Sequence, residues 1–261
     1  MIRVLTLNLR FGLADDGPNG WECRKQVFPE FFETHAADFI AFQEANNFQA
    51  EFLKNLLKDH HCIGQRKPAP PFWQDNLIFY RKSWQCIQQH HFYLSSTPSV
   101  PSRWAKSLWA RQCIIGVFQK QDRTLIFATT HLDFDAEVQV QSAELILRRL
   151  AGISPQMPAI LVGDFNALPE SSCGLALTGR LTEKPVQSPC FQFAFKPPYP
   201  ATHHGFTGKK EGRHIDWVLH RGGLVLIESR VIQEPVHGIF LSDHYPVSGI
   251  FKMAEPGTSD V

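Results

Sequence analysis

The chain has 261 residues, 43% hydrophobic and 20% charged, with a net charge of +1. That composition is ordinary for a soluble globular protein able to bury a sizeable core, and it carries no global excess of positive charge, although a local basic groove is compatible with it. Cys23, Cys62, Cys86, Cys113, Cys173 and Cys190 show neither C-x-x-C nor zinc-finger spacing, and no apolar run approaches the roughly 20 residues needed to span a bilayer.

In chain order, short apolar and β-branched runs predict strands at residues 2–7, 39–42, 77–80, 113–118, 124–130, 159–162, 215–219, 224–232 and 247–251. Apolar residues at helical spacing predict helices over 21–35, 48–57 and 136–150. The run at 2–7 reads as a strand rather than a signal peptide, so reduced thiols and a cytoplasmic location are expected. A short polar turn joins 113–118 to 124–130 and implies an antiparallel hairpin. Strands and helices do not alternate strictly, which favours sheets packed together with helices outside over a Rossmann or barrel architecture. Pro-rich stretches at 68–71, 98–101 and 185–200 read as surface loops, the last able to overhang a site. One domain over 1–252 is expected, followed by a disordered tail at 253–261.

Polar residues gather where the strand-like runs end. The run at 2–7 leads into Asn8, 39–42 into Gln43-Glu44, 124–130 into His131, and 159–162 through Gly163 into Asp164 and then Asn166; Ser242-Asp243-His244 precedes the last strand. Each has an ordinary alternative. Asn8 can cap a turn, Glu44 can be a solvated loop residue, His131 a satisfied core histidine, residues 163–166 a turn, and Asp243-His244 a surface pair. Taken together, acids, amides and histidines at strand ends supply hard oxygen ligands for Mg²⁺ or Mn²⁺ and a proton-transfer pair. Zinc is disfavoured, because no histidines stand at i, i+4 and the doublets His60-His61, His90-His91 and His203-His204 are too close in sequence for ordinary dual ligation. No G-x-S-x-G elbow and no G-x-x-x-x-G-K-[ST] phosphate loop is present.

Thr6-Leu7-Asn8, Gln43-Glu44, Asn76-Leu77-Ile78-Phe79-Tyr80, Thr130-His131-Leu132-Asp133, Gly163-Asp164-Phe165-Asn166, His214-Ile215-Asp216-Trp217 and Ser242-Asp243-His244 follow one another over nearly the whole chain. In that order they resemble the endonuclease/exonuclease/phosphatase family, which includes deoxyribonucleases, AP endonucleases and sphingomyelinases. The resemblance implies a four-layered α/β sandwich, with two mixed sheets face to face and helices outside. It also implies roles: Glu44 and Asn8 at a divalent cation, Asp243 supporting the metal, Asp164 positioning the attacking water and Asn166 on the phosphate. His244 would be the general base or a transition-state contact, oriented by Asp216, and His131 would assist the leaving oxygen. Arg111 and Asn76 are further phosphate-facing candidates, and Asp75 is a candidate to orient His131.

The reaction is more legible than the substrate. A phosphodiesterase of nuclease type acting on nucleic acid is the first expectation. A phosphatase or phosphodiesterase for a small phosphorylated metabolite or lipid head group is the second, and a silent binding module the third. Ser102-Arg103-Trp104-Ala105-Lys106 is a short basic-aromatic segment suited to nucleic acid, and Lys209, Lys210 and Arg213 lie in a glycine-containing loop able to meet phosphate or simply to be solvated. Asn8-Leu9-Arg10 departs from the Asn-x-Asp pattern of AP endonucleases.

Overall fold

In the computed structural model, which describes residues 1–181 and 190–254, the N-terminal run forms strand β1, Ile2–Asn8. Its alternation has two apolar faces. Ile2 and Val4 join one core, whereas Leu5 and Leu7 join another. After it come α1 (Trp21–Arg24), α2 (Phe28–Thr34), β2 (Phe39–Ala45), α3 (Asn47–Leu56), β3 (His60–Ile63), β4 (Asp75–Arg81) and β5 (Gln85–Tyr93). The second half holds β6 (Gln112–Lys120), β7 (Arg123–His131), α4 (Ala136–Ile153), β8 (Ala159–Asp164), α5 (Ser172–Leu177), β9 (Gln192–Phe193), β10 (Asp216–Arg221), β11 (Leu224–Val231) and β12 (Val247–Met253).

These strands make two six-stranded sheets, ordered β11-β12-β1-β2-β4-β3 and β5-β6-β7-β8-β10-β9. Both are mixed: β1 pairs parallel with β2 and β7 with β8, and the other neighbours are antiparallel. Three apolar clusters divide the molecule into four layers, as the family resemblance implied. One lies between the sheets and includes Val4, Phe39, Phe127, Val162 and Val218. A second packs the first sheet against the α1–α3 side, and a third packs the second sheet under α4 and α5. Because both faces of the central strands are covered, their sequences read as nearly continuous apolar runs.

Local chemistry explains where elements start and stop. Asp135 caps α4, its Oδ1 accepting from the Glu137 and Val138 amides at 3.0 Å each. The helix expected over 21–35 divides into α1, a 3-10 turn at Lys25–Val27 and α2, with Pro29 in the first turn of α2. Proline lacks an N–H and clashes with the carbonyl four residues back, so it is accommodated at a helix start rather than inside one. β3, β5, β9 and α5 were not expected. β5 is an outer strand whose residues 85–91 are mostly polar, so no apolar period marked it.

The C-terminal boundary also differs from expectation. Met253 completes β12 and the Ala254 amide donates to Gly223 O, while residues 255–261 of the expected tail lie outside the described residues. Of the loop expected at 185–200, residues 185–189 lie outside them as well. The described remainder adds β9 and packs Phe193 on Trp217 and Tyr199 on His214. No disulfide joins Cys23, Cys62, Cys86, Cys113 or Cys173. Among the described residues no helix is long and apolar enough to cross a membrane.

Phe39 links the sheets. Its ring lies 4.9 Å from those of both Phe118 and Phe127 and 5.1 Å from that of Trp84, and it is fully buried. Phe39→Ala should cost about 3–5 kcal/mol, as other buried phenylalanine truncations do. Urea denaturation measures this, and a loss below about 1 kcal/mol would contradict the packing described.

Candidate active site

The site is built by continuing the strand alternation one step past the inter-sheet core. On β1 the inward series runs Ile2, Val4, Thr6, Asn8; on β7 it runs Leu125, Phe127, Thr129, His131; on β8 it runs Ile160, Val162, Asp164. β10 begins at Asp216 and continues inward with Val218. Backbone pairing sets His131 opposite Asp164 and Asp164 opposite Asp216, in a single row across three strands. Gly163 allows the close approach: at φ +141° a Cβ there would sit 2.0 Å from Thr130 O. Beneath the row, Gln43 Nε2 donates to Thr6 Oγ1 at 3.1 Å and Thr129 Oγ1 at 3.0 Å, joining the sheets through a polar layer.

Glu44 reaches the row through a backbone irregularity. The β2–β4 register shifts between Phe42 and Ala45, and Glu44 adopts φ +61°, a left-handed conformation uncommon outside glycine. Its carboxylate is held by the Phe11 amide on Oε2 at 2.7 Å and by Asn8 Nδ2 on Oε1 at 3.1 Å. Asn46 braces the same turn, accepting from the Gly12 amide and donating to Pro71 O and Trp73 O.

Asn8 Nδ2 also donates to Asp164 Oδ2 at 2.9 Å, so one amide ties Glu44 on the first sheet to Asp164 on the second. The same Asp164 oxygen lies 3.4 Å from His131 Nε2 and 3.8 Å from His244 Nε2. His244 Nδ1 and Asp216 Oδ2 are 2.8 Å apart. Burial and the Asp216 carboxylate push Asp164 above the usual carboxylate range. Burial pulls the His244 imidazole down, but the carboxylates of Asp216, Asp164 and Asp243 outweigh it and raise it to about 10. His131 goes the other way: burial, then Arg111 and His244, hold it well below its ordinary value. One histidine is therefore a cation and the other neutral at physiological pH.

Arg111 Nη1 and Asn166 Nδ2, both donors, face the two nitrogens of His131, and a neutral ring accepts from one of them only. Arg111 Nη1 is the charged donor and the nearer one, 2.9 Å from Nδ1, and Asp164 Oδ2 faces Nε2 at 3.4 Å, which together favour the proton on Nε2. Asn166 Nδ2, fixed by donation to Leu132 O, is 3.1 Å from that Nε2. Two donors thus stand side by side, an arrangement that an anionic oxygen complements.

Of the metal set expected from the sequence, Glu44, Asn8 and Asp243, the first two are in direct contact at 3.1 Å. Among the described residues, the carboxylate–histidine groups near enough to share an ion are Asp164, Asp216 and His244, and His203, Asp243 and His244. Asn8 faces the carboxylates with its nitrogen, because its Oδ1 accepts from the Arg10 amide at 2.8 Å. Asp243 Oδ2 faces Arg10 Nη1 at 3.8 Å and His203 Nε2 at 3.9 Å. A divalent cation still fits. Carboxylates are hard oxygen donors, and the buried Asp216 Oδ1 has no hydrogen-bond partner.

The remaining candidates divide. Arg111 enters the site, whereas Asn76 Nδ2 is committed to Gln112 O at 2.8 Å. Asp75 does not orient His131; it accepts from Trp73 Nε1 at 2.8 Å and the Arg66 amide at 3.2 Å. Arg213 donates to Asn166 O at 3.1 Å. Sequence reasoning missed His203 and Arg10. Successive residues of extended chain point oppositely, so the doublet splits: His203 lies over His244 while His204 stacks on Tyr245. Arg10 is held by Asp16 through Nε and Nη2 at 3.0 and 2.8 Å. Its place one residue from Leu9 was the available signal, since it breaks the Asn-x-Asp pattern.

Residues 5–244 match the family described as Endonuclease/Exonuclease/phosphatase family. Among solved structures, mannosyl-6-phosphatase of Bacteroides thetaiotaomicron superposes with a TM-score of 0.86 at 22% identity, over 97% of this chain and 100% of that one. TDP2 of D. rerio in complex with a single-strand DNA product gives a TM-score of 0.74 at 14% identity, over 97% and 99%. Protein angel of Drosophila melanogaster is 42% identical over 57 residues, which span 21% of this chain and 16% of that protein.

In the metal-free protein His244 should titrate near 10, and Asp216→Asn should lower its midpoint. Because the folded value is raised above the ordinary one of about 6.5, this ionisation stabilises the fold fully below about pH 6.5, and the contribution is lost as pH rises through about 10. NMR titration of the imidazole in chelator measures both, and an unchanged midpoint in the variant would remove Asp216 as the partner.

Proposed function

The chain belongs to the endonuclease/exonuclease/phosphatase family, and from that premise we propose that it is a hydrolase of phosphoester bonds dependent on Mg²⁺ or Mn²⁺, of phosphodiesterase type. The observation that carries this reading is the placing of His131 Nε2 and Asn166 Nδ2 side by side next to an excess of carboxylate. Donors and acids side by side suit a phosphate oxygen and a cation in the same small space.

A bound cation would supply positive charge to the non-bridging phosphate oxygens. Glu44, Asp164 and Asp216 are the residues suited to hold it. Asp164, made more basic by burial, accepts a hydrogen bond from the attacking water and aims it at phosphorus. His244, cationic and anchored by Asp216, donates from Nε2 to charge developing on the phosphate. Of the two roles expected for it, transition-state contact suits that charge state better than general base. His131 and Asn166 donate from the other side, and Arg111 keeps the imidazole neutral and oriented.

Nucleic acid is the first substrate class to test, since Arg10, Arg103 and Arg111 line one cleft opening on Glu44 and His131.

Chelation should abolish hydrolysis of an aryl phosphodiester, and added Mg²⁺ or Mn²⁺ should restore it; turnover indifferent to chelator would remove the metal. His244→Ala should lower turnover by about 10²- to 10⁴-fold, and a near-wild-type rate would refute its role. Nucleic-acid affinity should fall steeply with salt, and a flat response would count against that substrate.

A further inference from the structure

Beside the catalytic groups lies a cleft of about 700 Å³, within the roughly 300–1,000 Å³ typical of small-ligand sites. Glu44 and His131 line it, so a substrate whose phosphate meets His131 and Asn166 extends into it. The segment 107–111 on one side is pinned by Asp133, whose Oδ2 accepts from Ser107 Oγ at 2.7 Å and the Leu108 amide at 3.1 Å.

The lining has an unusual composition. Phe72, Trp109 and Phe134 expose 67%, 48% and 59% of their surfaces around the mouth, where burial would be the ordinary fate of such rings. The Arg111 guanidinium lies near both Trp109 and Phe134, its Cζ 5.9 and 6.0 Å from the two ring centroids, and its buried Nε has no hydrogen-bond partner. Neither Arg103 nor Arg111 has a carboxylate at salt-bridge distance among the described residues; Arg103 Nη1 donates to Ser107 O. Of the side-chain amides that line the cleft, those of Asn76 and Gln112 are committed to partners within the protein. Asn76 Nδ2 donates to Gln112 O, and Gln112 Nε2 donates to Gln74 O while its Oε1 meets His91. Flat apolar faces and cations are therefore on offer.

We propose that this cleft binds a nucleoside phosphate unit, the base lying flat on Trp109 or Phe134 and a phosphate other than the cleaved one meeting Arg103. A base supplies the planar face that exposed aromatic rings and the Arg111 guanidinium stack against. A second phosphate supplies the charge that Arg103 lacks among the described residues. The unit can come from a free nucleotide or from the end of a nucleic-acid strand, since both present the same chemistry.

This proposal rests on the phosphoester reading above, but its test reads binding rather than turnover. Calorimetric titration of the full chain in chelator with ADP, AMP and ribose 5-phosphate should rank them in that order of affinity. Trp109→Ala with Phe134→Ala should weaken ADP and AMP about tenfold or more and leave ribose 5-phosphate unchanged. Arg103→Met should erase the advantage of ADP over AMP. Both rings are exposed, so an unchanged melting temperature checks that the variants fold. Equal binding of ribose 5-phosphate and AMP, no binding of any nucleotide, or ring variants without effect would overturn the proposal. A dinucleotide that outcompetes ADP identifies a strand end as the source, and the reverse identifies a free nucleotide. Nucleotide binding without hydrolysis of any phosphoester would refute the catalytic reading alone, whereas hydrolysis without nucleotide binding would refute the cleft alone.

Discussion

Backbone hydrogen bonds among β7, β8 and β10 hold His131, Asp164 and Asp216 in one row. A one-residue slip in any of these strands would turn its catalytic candidate to the opposite face and its apolar residues out of the core. Packing and chemistry therefore depend on the same register. Phe127, Val162 and Val218 lock the strands from below, and the same alternation then delivers the polar side chains above. Gly163 lets β7 and β8 meet at that point, and Gln43 closes the gap between sheets just beneath.

Charge at this rim is arranged by burial and proximity rather than by residue type. Two histidines a short distance from one oxygen of Asp164 take opposite protonation states, because three carboxylates outweigh burial at His244, whereas burial and then Arg111 keep His131 neutral. Asn8 bridges the carboxylates of Glu44 and Asp164, one amide holding the two acids close across the sheets. The left-handed backbone at Arg10 and Glu44 shows that side-chain placement here is maintained against local preference.

Elements with strong apolar runs were legible before folding. β1, β6, β7 and β8 are buried on both faces, so their sequences announce them, and α4 carries both its periodicity and its Asp135 cap. β5 was not, because its half-exposed residues 85–91 owe their strand state to pairing with β6, a long-range contact that no local pattern records. The break in the helix at Pro29 was readable from the residue itself, but the apolar spacing on either side masked it. At the site, the residues at strand ends were visible as a set. His203 and Arg10 were not, since each becomes relevant through Asp243, more than 30 positions away in chain order.

What the sequence by itself determined is the inventory: which strands exist in the core, that each ends on a polar group, and, through the order of its motifs, the family. Those are local properties, carried by alternation and by short segments. The tertiary structure decided how the inventory is wired. It turned the Asn8 nitrogen rather than its oxygen to the acids, put Arg111 rather than Asp75 on His131, and set Asp243 against Arg10 and His203. Hydrogen-bond direction, protonation and metal grouping depend on distances between residues far apart in the chain, and only the packed sheets set those distances.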